Sequence, residues 1–202
     1  MKIFFIRHGE TTGDIENRYG GTYDDHLSEK GKGQSQGLAQ VLKGKSIEVI
    51  FSSSLIRAQE TSQILADTLG CEIKTVPELQ ERNQYSFLSG MTKEEALQKH
   101  PKEVEMLKDR LNTIEGAESY EDFSNRISGV FESLVKDSKY NSIAMLSHGG
   151  PLRVLFRDIL KWGELKEIGD CAYVELEKNG DTFSWIDSGG FTPSFQIPAF
   201  GK

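Results

Sequence analysis

The sequence predicts an α/β domain of three layers, with helices on both faces of a mostly parallel central sheet. Short apolar runs alternate with amphipathic stretches of helical spacing through most of the chain. No repeat, low-complexity tract or linker-like shift of composition interrupts them. A single domain of 202 residues follows, spanning 1–202, with a helical lid inserted at about 85–118.

Residues 2–7, "KIFFIR", are apolar enough for a short buried strand that ends on a cation. After the glycine- and aspartate-rich loop "RYGGTYDDH", Ser28 begins a helix that runs to about Lys43. "IEVIFSS" is the second strand, and "SLIRAQETSQILADTLG" is an amphipathic helix with Gly70 as its C-cap. "CEIKTV" forms a third strand that stops at Pro77. The charged stretch from about Thr92 to Asn112 is helical and broken in two by Pro101.

A further helix spans about Tyr120 to Lys136, with Phe123, Ile127, Val130, Phe131 and Leu134 on one face. "SIAMLSHGG" then repeats the plan of the opening strand, and "PLRVLFRDILKW" is a helix with Pro151 in its first turn. "CAYVELEKNGDTFSWID" is a hairpin turned by Asn179 and Gly180, and the tail "GGFTPSFQIPAFGK" is expected to be irregular.

Composition narrows the functional classes. Hydrophobic residues at 37% and charged residues at 27% describe an ordinary folded domain. A net charge of −7 argues against nucleic acid and anionic membranes as partners, though a pocket can still be locally positive. No apolar run is long enough to cross a bilayer, and the opening "MKIFFIRHGE" lacks the pattern of a signal peptide, so a cytoplasmic location is expected. Cys71 and Cys171 read as free thiols, with no histidine or second cysteine at metal-ligand spacing.

The chemistry gathers where strands end. "FFIRHG" delivers Arg7 and His8, "VIFSSSLIR" delivers serines and then Arg57, and "IAMLSHGG" delivers His148. Carboxyl ends of strands in open α/β sheets are where ligands bind. If these three strands are neighbours, two histidines and two arginines share a pocket suited to phosphate. A neutral imidazole can attack phosphorus, and a leaving alkoxide then needs a proton donor.

Arg7-His8-Gly9, a helix-borne Arg57, "PELQER" with Glu81 and the late "SHGG" together resemble the histidine phosphatase superfamily, also called phosphoglycerate mutase-like. The resemblance covers most of the chain. It implies that His8 is the phosphorylated nucleophile, that Arg7, Arg57 and His148 hold the phosphoryl group, and that Glu81 is the general acid and later the base. It also implies that Gly20, Gly21, Arg82, Tyr85 and Gly149 face the substrate. No metal and no organic cofactor is implied.

Three positions depart from the family pattern. Asp14 stands where many members carry an asparagine that touches phosphate, so its carboxylate either pairs with an arginine or turns away, and Asn17 is the candidate replacement. The stretch "RNQYSFLSG" after Glu81 is one residue longer than usual, which leaves the position of Tyr85 open. His26 replaces a common proline and is read as harmless.

Outside the motif, Arg153 and Arg157 are expected to pair with acidic neighbours, and His100 to lie at the surface. "AQVLKGKS" is not a nucleotide loop, because Ala39 replaces its first glycine and it ends a helix rather than following a strand. The expected activity is hydrolysis of a small phosphorylated metabolite by a monomer or homodimer. Phosphoglycerate mutation is the alternative. It is disfavoured because family mutases carry a longer insertion between the acid and the second histidine, with adjacent arginines, whereas Arg110 and Arg126 each stand alone. A catalytically weak phospho-ligand binder is a third reading.

Overall fold

The computed structural model describes residues 1–136 and 139–196. β1 (Lys2–Arg7) leads through a single turn, α1 (Thr12–Ile15), to α2 (Glu29–Leu42). β2 (Val49–Ser52), α3 (Ile56–Leu69) and β3 (Glu72–Thr75) follow. Two 3-10 turns, Pro77–Leu79 and Ser86–Leu88, precede α4 (Lys93–Lys99) and α5 (Pro101–Met106). The chain then runs through α6 (Tyr120–Lys136), β4 (Ser142–Ser147) and α7 (Gly149–Val154) to the long hairpin of β5 (Leu165–Asn179) and β6 (Thr182–Pro193).

The six strands form one sheet in the order β3-β2-β4-β1-β5-β6. β1 to β4 run parallel, and β5 and β6 add an antiparallel edge. The three layers follow from side-chain alternation. Ile3 and Phe5 of β1 pack with Phe131, Leu152 and Phe156 on one face. Phe4 and Ile6 pack with Leu38, Ala58 and Leu65 on the other. A strand buried on both faces needs apolar residues at consecutive positions, which is why "IFFI" has no polar alternation.

Local signals set the helix ends. Ser28 caps α2 by accepting from the N–H of Gly31, and Gly70 ends α3 in the left-handed conformation at φ 70°. Pro101 opens α5 in the first turn, where its missing N–H costs nothing. The segment between the 3-10 turns and α6 builds its own small cluster around Leu88, Ala96 and Ile114.

Two expectations are corrected. The run 151–162 is not one α-helix: α7 ends at Val154 and passes into a π-helical turn over Leu155–Ile159. There Asp158 accepts from Tyr120 and Ser124 of α6, and Leu160 N–H reaches back to the carbonyl of Leu155. Nor is the tail irregular from Gly189, since β6 continues to Pro193. β5 correspondingly begins at Leu165. These segments have no clean alternation because register shifts separate Ile168 from Tyr173, with Cys171 at φ 53°. Phe191 is drawn into the aromatic cluster, 5.6 Å from Trp185 and 5.5 Å from Phe156. The rest of the tail, 197–202, lies outside the described residues. Cys71 and Cys171 are both free and partly buried.

Candidate active site

β1 and β4 are adjacent and in register, with Arg7 opposite Ser147, so the next residue of each strand is a histidine. The His8 backbone is held on both sides. Its N–H donates to the carbonyl of Ser147 at 3.2 Å, and its carbonyl accepts from the N–H of Cys171 at 3.0 Å. The two imidazoles meet edge to face with centroids 5.0 Å apart.

The protonation pattern of His8 follows from its partners. Nδ1 lies 2.7 Å from the carbonyl of Gly9, which can only accept, so Nδ1 carries the hydrogen. Nε2 lies 3.2 Å from Nε of Arg57, which can only donate, so Nε2 carries the lone pair. Burial, then the charges of Arg57 and Arg7, hold its pKa well below the ordinary histidine value, against the opposing pull of the Gly9 carbonyl. The ring is therefore neutral with its nucleophilic nitrogen defined.

Arg57 is 3% exposed and enters from the first turn of α3. Its remaining donors go to the carbonyls of Tyr23 and Gly21, at 2.6 and 2.8 Å, and to the carboxylate of Asp25 at 3.0 Å. Asp25, itself buried, also accepts from the N–H of Gly13. The loop before α2 is thus folded around this guanidinium. The sequence reading missed Asp25, although it lies in the aspartate-rich loop "YDDH".

His148 is fully buried behind His8. Its Nε2 is 2.8 Å from the hydroxyl of Ser53, which also accepts from the N–H of Leu55. The hydroxyl keeps both its proton and a second lone pair for this contact, so either partner can donate across it. The imidazole Nδ1 is buried and has no hydrogen-bond partner among the described residues. Burial, then the Arg57 charge, pushes the pKa of His148 well below the ordinary value.

Glu81 accepts from two backbone donors, Arg82 N–H at 2.8 Å and Gly150 N–H at 2.9 Å. A Cβ on residue 150 would overlap Glu81 Oε1 and come within 3.1 Å of Phe123, so any side chain there would displace the Glu81 carboxylate. Arg7 donates to the carbonyl of Ile168 at 2.7 Å and lies 3.4 Å from Asp170.

Arg7, His8, Arg57, Glu81, Gly20, Gly21, Tyr85 and Gly149 all line one cavity of about 240 Å³. Asp14 also borders it, but its carboxylate turns to Thr11, accepting from that residue's N–H and hydroxyl at 3.0 Å each. This reciprocal cap is the reason a carboxylate is tolerated there. Asn17 is at φ 54° at the end of α1 and borders neither this cavity nor its neighbour. Tyr85 stacks on Tyr19 at 4.7 Å, and burial, then the Glu81 charge, pushes its pKa up to about 12. Arg82, 4% exposed, lines the neighbouring cavity. At the surface, His26 Nδ1 donates to the Glu60 carboxylate at 2.7 Å.

The outer arginines divide. Arg157 pairs with Glu164 and Asp158 as expected. Arg153 has no carboxylate partner among the described residues and instead donates to the carbonyl of Leu165. From the last turn of α7 it reaches the start of β5.

Comparisons with known proteins identify the family. A phosphoserine phosphatase of Hydrogenobacter thermophilus is 30% identical over 162 residues, 79% of this chain and 76% of that one. A metal-independent phosphoserine phosphatase of Arabidopsis thaliana is 32% identical over 160 residues, 77% of this chain and 67% of that one. A Yersinia pestis protein named a probable phosphoglycerate mutase is 30% identical over 100% of this chain and 98% of its own. Among solved structures, a mycobacterial glucosyl-3-phosphoglycerate phosphatase in complex with vanadate superposes with a TM-score of 0.77 at 24% identity, over 92% of this chain and 96% of that one. The family model of the histidine phosphatase superfamily, branch 1, matches residues 3–187, nearly all of the described fold, and this chain belongs to that family.

Proposed function

We propose that the protein is a metal-independent phosphomonoesterase that hydrolyses a small phosphorylated metabolite through a phosphohistidine on His8. The observation that carries the reading is the His8 tautomer: a neutral, buried ring with its lone pair on Nε2 and its hydrogen committed to Gly9.

In the first step Nε2 attacks phosphorus and the bond to the leaving oxygen breaks. Arg57 gives up its contact with Nε2 to a phosphoryl oxygen, and Arg7 and the His148 imidazole supply further donors. The ring becomes cationic as the P–N bond forms, and the Gly9 carbonyl stabilises Nδ1–H. Glu81 delivers a proton to the leaving alkoxide. In the second step water attacks phosphorus, Glu81 takes the water proton, and the P–N bond breaks to restore neutral His8. Cytoplasmic location and a monomeric or homodimeric state belong to the same proposal.

Aryl phosphate hydrolysis with chelator present tests it. Turnover in wild type that disappears in His8→Ala, with labelled phosphate trapped on wild-type His8 alone, supports the reading. Turnover that survives His8→Ala overturns it. The full-length similarity to a protein named as a mutase keeps a second reading open, in which a substrate hydroxyl replaces water. Interconversion of 2- and 3-phosphoglycerate faster than phosphate release would favour it.

A further inference from the structure

We propose that Arg126 and Glu118 form a clamp that sets the aim of the Glu81 carboxyl, and that they act as positioning residues for proton delivery to the leaving group. The inference rests on the phosphomonoesterase reading and assigns two further residues to that reaction. Neither lines the phosphate pocket, but both border a separate cleft that also reaches Glu81.

Glu81 stands on a stretch of chain that no regular structure supports. Residues 80–84 belong to no helix or strand. The carboxylate meets Gly150 N–H across 2.9 Å, and that contact holds only if the backbone on either side of Glu81 is fixed. A proton donor has to lie within about 2.6–3.2 Å of the oxygen it serves, so a drift of about 1 Å is enough to disarm it.

One ion pair supplies the missing support. Arg126 donates from Nη1 to the carbonyls of Glu78 and Gln80, at 2.7 and 3.1 Å. Its Nε and Nη2 each donate to a different oxygen of Glu118, both at 2.8 Å. The Glu118 oxygen that meets Nη2 also accepts from Asn83 N–H at 3.2 Å, and Glu118 N–H donates to the Asn83 carbonyl at 2.8 Å. The Glu118 carbonyl accepts from Nε of Arg82 at 3.0 Å. Gln80 before the acid and Asn83 after it are thus tied to the same two residues.

The two-pronged contact fixes orientation as well as distance, which a lysine at 126 could not reproduce. The Arg126 guanidinium also lies 5.3 Å from the ring centre of Phe123, about one turn earlier on α6, and Phe123 sits beside Gly150. The same helix therefore governs both ends of the Glu81–Gly150 contact. It braces the segment that carries the carboxylate and packs against the glycine that receives it.

Leaving-group dependence reads this role. Dinitrophenolate departs without a proton, whereas phenol, with a pKa of about 10 like tyrosine, leaves poorly unless protonated. In Arg126→Gln, kcat/KM should fall at least about tenfold on phenyl phosphate and less than about threefold on 2,4-dinitrophenyl phosphate, because only the first depends on a positioned acid. Glu118→Gln is the milder change; it should show the same split and is read if Arg126→Gln fails to fold. In a Glu81→Gln background, neither substitution should lower kcat/KM on phenyl phosphate by more than about threefold, since residues acting through one another are not additive. Equal losses on both esters, no loss on phenyl phosphate, or losses that add to that of Glu81→Gln overturn the proposal. Wild type that hydrolyses neither ester defeats the phosphomonoesterase reading and this inference with it. An active wild type whose variants lack the split defeats this inference alone.

Discussion

Arg57 donates its Nε–H to Nε2 of His8 across 3.2 Å, so the cation that lowers the ring's proton affinity also covers its lone pair. On the proposed mechanism the guanidinium is handed from His8 to the phosphate as substrate enters. Arg57→Gln should therefore lower kcat/KM on an aryl phosphate by about 10²- to 10³-fold, the range for losing one preorganised donor. Steady-state kinetics check this. A loss below tenfold would mean that Arg57 is structural only.

The Arg57–Asp25 pair is buried on both sides, at 4% side-chain exposure each. Asp25→Ala leaves the guanidinium with two carbonyls and the His8 ring but no counter-charge, and removing one member of such a pair costs about 3–5 kcal/mol. Urea unfolding of the variant should show that loss, with kcat/KM falling as Arg57 becomes less ordered.

Acid should weaken the fold through both histidines. His8 and His148 have folded pKa values well below 6.5, so below that pH the unfolded chain binds more protons than the native one. Stability is fully present above pH 6.5 and is lost as pH falls toward the folded values, by up to about 1.4 kcal/mol per pH unit for each ring. The exposed His26 works in the opposite sense, because its hydrogen bond to Glu60 raises its pKa. Urea midpoints at pH 7.5 and 5.5 should show a net loss, and His148→Gln should shrink it. A midpoint that does not move would contradict the neutral rings.

Gly150→Ala places a methyl group where Glu81 Oε1 lies. The carboxylate must move, and kcat should fall by about 10²-fold or more, the contribution of one positioned proton donor. Circular dichroism should stay native, since Phe123 is the other close neighbour and can shift. An active Gly150→Ala enzyme would remove Glu81 from the role of acid.

Asp14→Asn should not raise kcat/KM, because the carboxylate is spent on Thr11 rather than aimed at phosphate. Asp14→Ala should lower stability by about 1 kcal/mol through loss of the cap. A gain in kcat/KM for the asparagine variant would show that the charge does reach the substrate.

Much of this was legible in the sequence where one local rule decided the outcome. The apolar run of β1, the Ser28 and Gly70 caps and the break at Pro101 each rest on a few adjacent residues. The strand ends that carry Arg7, His8 and His148 were visible because polar residues interrupt apolar runs there. What escaped depends on distant pairing. Leu165–Asp170 looks irregular alone and becomes strand only against Phe191–Pro193. Arg153 reads locally as a surface ion pair, but in the fold it meets the carbonyl of Leu165 from a distant strand. Asp25 carries no motif, and its importance comes from the arginine that the fold brings to it.

The place of β1 in the sheet also sets a timetable. Its neighbours are β4 and β5, pairing Lys2 with Ser142 and with Glu177. Contacts that span so much of the chain form late, after the intervening loop has been closed. A polypeptide truncated before residue 142 can collapse, but it cannot seat His8 between Ser147 and Cys171. On the proposed mechanism, the nucleophile carried by β1 takes its final position only when the strands of the other half of the chain are in place.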